Sequence, residues 1–195
     1  QHVNMDTKTL FMAVLIAGIL GGFALNNSLF NATIEVGAEA PDFTLVDPDG
    51  NEFSLSDFEG EKVIVLEFMN MRCDTCKNFE ENSLKSYCND TMPEDVEVIS
   101  ITQTKNADDN ELAERTEEMG WDFVKGKEEV TDAFGADRSP TVVIIDKDGM
   151  ITFSESGPMS KSELEEKISF NAEFIASSNS VLPKSCCVSG LTAGT

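Results

Sequence analysis

The run Lys62 to Met69 (KVIVLEFM) constrains the fold of this chain more than any other segment. It is β-branched and almost wholly apolar, the signature of a strand covered on both faces. Cys73-Asp-Thr-Cys76 follows within a few residues, and Asp74 to Cys88 then reads as a helix with Phe79, Ser83, Leu84 and Tyr87 at helical spacing. A buried strand that turns sharply into a helix at a paired-cysteine motif belongs to an α/β architecture, and the remaining pattern extends it. Phe43–Val46 and Glu52–Leu55 flank the turn Asp47-Pro-Asp-Gly50 and predict a hairpin. Ser56 to Gly60 reads as a short capped turn. Val96–Ile101 predicts a strand, Asp108–Met119 and Glu128–Phe134 predict helices, and Gly135 ends the second. Pro140 opens a central strand, Thr141–Ile145. Asp146-Lys-Asp-Gly149 turns into Met150–Phe153, and Lys161–Ile175 is a last amphipathic helix with Leu164 and Ile168 inward. Strands alternating with helices make an α/β sandwich, and the final hairpin makes its central sheet mixed.

Four segments follow from these patterns: an N-terminal signal-anchor (1–30), a linker (31–40), a folded domain (41–176) and a flexible tail (177–195). Leu10 to Leu25 is apolar throughout, no charge occurs between Lys8 and Glu35, and no small-x-small cleavage site ends the run. It reads as a membrane anchor; cleavage would instead release a secreted domain. Lys8, the cation ahead of it, orients the folded domain outside the cytoplasm.

A net charge of −22 repels phosphate backbones and argues against nucleic-acid binding. It suits a solvated surface, or an acidic face for a basic partner. The single histidine, His2, precedes the domain, which removes Cys–His and Ser–His–Asp catalysis and His-based metal sites. No cofactor is expected.

Five cysteines, Cys73, Cys76, Cys88, Cys186 and Cys187, do not make a disulfide framework. Cys73 falls at a helix N-terminus, where unpaired N–H groups and the positive end of the helix dipole favour its thiolate. Arg72 adds positive charge, and Asp74 opposes it. Cys76, one turn on, can close a disulfide with Cys73, so the chemistry is attack by Cys73 and resolution by Cys76. A zinc site would need a second close pair, and vicinal Cys186-Cys187 has poor geometry for one. Cys88 reads as a small buried hydrophobe. Cys186 and Cys187 are candidates for a redox relay to Cys73–Cys76, for Cu(I) binding, or for no role at all.

From Val36 to Ala176 the chain resembles the thioredoxin-like family, and within it the membrane-anchored TlpA/ResA group. The likeness rests on Gly37-Ala-Glu-Ala-Pro41-Asp-Phe43-Thr-Leu45, on Val63–Phe68 with Cys73-Asp-Thr-Cys76, on Phe134-Gly135 leading to Ser139-Pro140-Thr141, and on Val143–Ile151. It implies a thioredoxin fold with an added N-terminal β-hairpin, and thiol–disulfide exchange with protein thiols and disulfides. An electron donor or acceptor is implied with it. It also implies a cis Ser139–Pro140 bond beside the disulfide, so that Arg72, Ser139, Pro140 and Thr141 would bind substrate. Glu67 occupies the place of the family's buried acid, where a raised pKa would let it take the Cys76 proton. The chain departs from the family in Arg72, where tryptophan is usual, and in Asp74-Thr75, which lacks the common proline. Trp121 lies elsewhere and reads as packing.

Two other functions compete. A thiol peroxidase shares the opening Pro41-Asp-Phe43, but Asn70 stands where its threonine should be. A thiolate copper carrier would have to use Cys73, Cys76, Cys186 and Cys187, because the domain has no histidine.

Overall fold

A computed structural model describes residues 34–178, with side-chain surroundings for residues 34–169. The predicted anchor and the vicinal cysteines Cys186 and Cys187 lie outside the described residues. Among the described residues no helix is long and apolar enough to cross a membrane.

A small antiparallel hairpin, β1 (Thr44–Val46) and β2 (Glu52–Ser54), opens the domain, with Leu45 opposite Phe53. A 3-10 turn, Leu55–Phe58, leads from it to β3 (Val63–Met69). The helix after the cysteines is broken into α1 (Asp74–Phe79) and α2 (Lys85–Asp90) by a π-helical turn, Glu80–Leu84, which the apolar spacing did not foretell. β4 (Val96–Thr102) follows, then α3 (Asp109–Met119), β5 (Asp122–Lys125), α4 (Glu128–Ala133), β6 (Thr141–Ile145), β7 (Ile151–Ser156) and α5 (Lys161–Ser178).

The central sheet has the order β5-β4-β3-β6-β7. β3, β4 and β5 run parallel; β6 is antiparallel to β3, and β7 to β6. This is a thioredoxin fold with an added N-terminal hairpin. The sequence reading omitted β5. That strand has four residues at a sheet edge, too few to display a period, and Gly120 masks its start by ending α3 in the left-handed conformation (φ 90°). Asp108 caps the other end of α3, its Oδ1 accepting from the Asn110 N–H at 2.8 Å.

Every residue of β3 is buried, as its apolar run requires. Alternation splits the core by parity. Ile64, Leu66 and Phe68 face a layer with Phe43, Leu45 and Phe134. Val63, Val65 and Met69 face a layer with Cys76, Phe79, Tyr87 and Trp121.

Candidate active site

Cys73 lies just beyond the C-terminal end of β3, as N-cap of α1, in an extended conformation (φ −90°, ψ 107°). Its Sγ accepts a hydrogen bond from the Cys76 N–H at 3.0 Å. An acceptor at this position takes up a donor that the first helical turn leaves unpaired, and the same donor would stabilise a Cys73 thiolate. The two cysteines are joined in a disulfide, with Cα atoms 5.2 Å apart. Cys76 is fully buried and Cys73 only partly, so Cys73 is the sulfur a partner can reach.

Opposite lies the segment that begins β6. The Ser139–Pro140 bond is cis, and the Ser139 carbonyl oxygen is 3.8 Å from Cys73 Sγ. Side-chain hydrogen bonds pin this segment. Ser139 Oγ donates to Gln103 Oε1 at 2.6 Å, and Gln103 Nε2 donates to the Ala136 carbonyl. Thr141 Oγ1 donates to the Arg138 carbonyl at 2.9 Å and lies 2.8 Å from Ser156 Oγ. Cys73, Ser139, Pro140 and Thr141 are thus brought together, and Arg72, exposed, adjoins them in the chain.

Glu67 is fully buried and belongs by parity to the layer that holds Cys76. Its Oε2 accepts from Ser100 Oγ at 2.6 Å, and Ser100 Oγ in turn accepts from Trp121 Nε1 at 2.9 Å. Its Oε1 has no hydrogen-bond partner among the described residues. Burial pushes the Glu67 carboxyl up to about 8, against the lowering pull of Ser100 and of the Arg115 charge. At neutral pH most molecules therefore hold this proton, and the ionised minority can accept one.

A second buried carboxylate, Glu80 in the π-helical turn, forms an ion pair with Arg115, whose guanidinium lies 5.0 Å from the centre of the Phe123 ring. Sequence reasoning missed Ser100, Gln103, Glu80 and Arg115, and read Trp121 as packing alone. Two signals were present. Ser100 continues the inward phase of Val96 and Val98, and Arg115 falls on the Leu112–Met119 stripe of α3.

Cys88 is only partly buried, against the expectation of a buried residue. It packs on the Cys76 layer, and burial pushes its thiol up to about 11. Among the described residues no group of three or more His, Cys, Asp or Glu could hold a metal. The copper-carrier alternative depends on Cys186 and Cys187, which are not described.

The Redoxin family model matches residues 35–168. Thiol-disulfide oxidoreductase ResA of Bacillus cereus (strain ATCC 10987 / NRS 248) is 30% identical over 176 residues, covering 83% of this chain and 96% of that protein. ResA of Geobacillus kaustophilus (strain HTA426) is 28% identical over 179 residues, covering 86% and 96%. Among solved structures, the thioredoxin domain of a thiol-disulfide oxidoreductase from Bacteroides vulgatus superposes with a TM-score of 0.59 at 23% identity, covering 70% of this chain and 99% of that one. StoA from Bacillus subtilis superposes with a TM-score of 0.55 at 18% identity, covering 66% and 96%. At these identities the two structures share the fold.

Proposed function

The chain belongs to the Redoxin family and is a thiol–disulfide oxidoreductase, and from that premise we propose that it exchanges disulfides with proteins outside the cytoplasm through Cys73 and Cys76. The observation that carries this reading is the Cys73–Cys76 disulfide at a helix N-terminus, 3.8 Å from the carbonyl of a cis-proline segment.

In the reducing direction the Cys73 thiolate attacks a substrate disulfide. One Cys73–substrate S–S bond forms, the substrate S–S bond breaks, and one substrate thiolate leaves. Cys76 loses its proton and attacks Cys73 Sγ, which releases the second substrate thiolate and restores the Cys73–Cys76 disulfide. Two electrons pass from enzyme to substrate. Glu67 Oε1, buried and unpartnered in the Cys76 layer, accepts the Cys76 proton. The backbone at Ser139, whose carbonyl lies beside Cys73, pairs with a substrate strand, and Arg72 flanks it; Thr141, buried, holds the segment in place through the Arg138 carbonyl. In the oxidising direction the same steps run backwards.

The apolar run Leu10–Leu25, with Lys8 ahead of it, supports a membrane tether with the domain outside. An electron donor or acceptor in that compartment must reset the pair, and Cys186–Cys187 is a candidate relay.

The test is thiol–disulfide exchange with a cystine-containing protein. Cys76→Ser should trap a mixed disulfide at Cys73, and Cys73→Ser should abolish exchange. If Cys73 and Cys76 form no reversible disulfide at any redox poise, the oxidoreductase reading fails and metal carriage takes its place.

A further inference from the structure

The chain carries 36 acidic and 14 basic residues, so a cation on its surface ordinarily meets a carboxylate. Most do. Lys62 lies 3.5 Å from Glu97, Lys147 2.8 Å from Asp95, and Lys161 2.9 Å from Asp90. Arg115 is paired with Glu80 in the core. Five described cations have no carboxylate partner, and they are not scattered at random along the chain. Arg72 adjoins Cys73, Lys77 adjoins Cys76, and Arg138 adjoins Ser139, whose carbonyl touches Cys73 Sγ. Of the other two, Lys127 donates to the Thr44 carbonyl at 2.7 Å and Lys85 begins α2.

Arg72 and Arg138 are exposed and Lys77 partly so, and none of the three side chains makes a hydrogen bond or ion pair among the described residues. Their acidic sequence neighbours, Asp74 and Asp137, are exposed and pair with neither arginine. Two of the protein's three arginines thus adjoin in the chain the two residues that meet at the site, Cys73 and Ser139, and among the described residues their guanidinium groups are uncommitted. Arginine's planar fork favours carboxylates, which it can bind through two parallel hydrogen bonds.

We propose that Arg72, Lys77 and Arg138 form a cationic rim that selects substrates whose target cysteine is flanked by aspartate or glutamate. The proposal rests on the oxidoreductase reading and names the substrate class of the same site. The partner is an extended acidic polypeptide segment. A nucleic acid carries the same sign of charge, but it has no disulfide to exchange. The overall charge of −22 does not prevent the contact, because at physiological salt charges separated by more than about 8 Å are largely screened and the local rim governs docking.

The test uses the full chain, reduced, at pH 7, against three cystine peptides of equal length whose target cysteine is flanked by Asp, Ser or Lys. The readout is kcat/KM for each. The ratio of the Asp to the Lys peptide cancels any change in Cys73 reactivity common to both. Three exposed charge contacts, each worth about a twofold gain, give a ratio of about tenfold in roughly 0.15 M salt. In about 1 M salt, where the screening length falls to about 3 Å, the ratio should fall below about threefold. Arg138→Glu and Arg72→Glu, each of which replaces a gain of about twofold with a similar penalty, should each lower it about fourfold. A wild-type ratio within about 1.5-fold of one, or a ratio unmoved by both charge reversals, overturns the rim. If the Ser peptide is reduced in that case, the oxidoreductase reading stands without it. If no peptide is reduced, both fall together.

Discussion

On one side of β3, Ile64, Leu66 and Phe68 meet a layer of hydrocarbon and aromatic rings, in which Phe134 lies 5.9 Å from Phe43 and 5.5 Å from Phe68. On the other side, Val63, Val65 and Met69 share their layer with Glu67, and with Ser100, Trp121, Glu80 and Arg115 around it. Both layers are buried, yet among the described residues the ionisable side chains Glu67, Glu80 and Arg115 lie in or around the second. Close packing alone holds the hydrocarbon layer. The polar layer holds groups whose burial opposes folding unless each finds a partner, and it is the layer that contains Cys76. One strand thus separates a scaffold from a reaction centre, and the adjacent residues Leu66 and Glu67 belong to opposite sides.

That adjacency gives the sharpest way to break the comparison. Leu66 is fully buried in the middle of β3. Leu66→Ala should cost about 2–5 kcal/mol of stability through lost burial and an unfilled cavity. Denaturant unfolding measures the loss. Exchange rate per folded molecule should be unchanged, because Leu66 faces away from Cys76. A large fall in that rate would mean that the two layers are not separable.

Glu67→Gln should do the reverse. Removing the proton acceptor for Cys76 should slow resolution of the mixed disulfide by about a hundredfold, the lower range for general acid–base catalysis. Stability should respond to pH with a definite sign. Glu67 titrates at about 8 in the folded chain, against an ordinary 4.5. Between those values the folded state keeps a proton that the unfolded state gives up. Stability therefore falls as pH rises through this window, by up to about 1.4 kcal/mol per pH unit from this group. The variant lacks that slope. Measured at pH 5 and pH 8, the stability difference between variant and wild type should move by a few kcal/mol in favour of the variant. A difference that stays constant would mean that Glu67 is not held protonated by burial.

The same contrast explains what was legible in the sequence. The buried strands β3 and β6, the turn into α1 and the Cys73–Cys76 pair are local patterns, and each was readable from a few consecutive residues. The cis Ser139–Pro140 bond came through family likeness. The hydrocarbon layer needs no more than apolar periodicity. The polar layer depends on partners far apart in the chain. Ser100 meets Glu67 because β4 lies parallel to β3 in the register that sets Glu67 beside Ser100. Trp121 joins them because α3 ends at Gly120 and the chain turns into β5. Arg115 and Glu80 sit on different helices, and nothing near either residue announces the other. Those contacts exist only once the sheet order is known, and β5 was the strand whose shortness hid it.

Cys88 offers the smallest expected effect and a test of where the boundary of the reaction centre lies. Its side chain packs on the same layer as Cys76, so contact alone would admit it to the chemistry. Its environment argues otherwise. Burial is the largest influence on its thiol, the Glu97 carboxylate also raises it, and together they hold it at about 11. At pH 7 only about one molecule in 10⁴ then carries a Cys88 thiolate, and the thiolate is the reactive form. Cys73 differs in kind, since its sulfur accepts the Cys76 N–H at a helix start. With the protein reduced and alkylated briefly at pH 7, peptide mapping should find label on Cys73 and almost none on Cys88. Cys88→Ala should change stability by about 1 kcal/mol or less and leave exchange intact. Equal labelling of the two would show that sharing the Cys76 layer is enough to activate a thiol, and the distinction between occupying that layer and taking part in its chemistry would be lost.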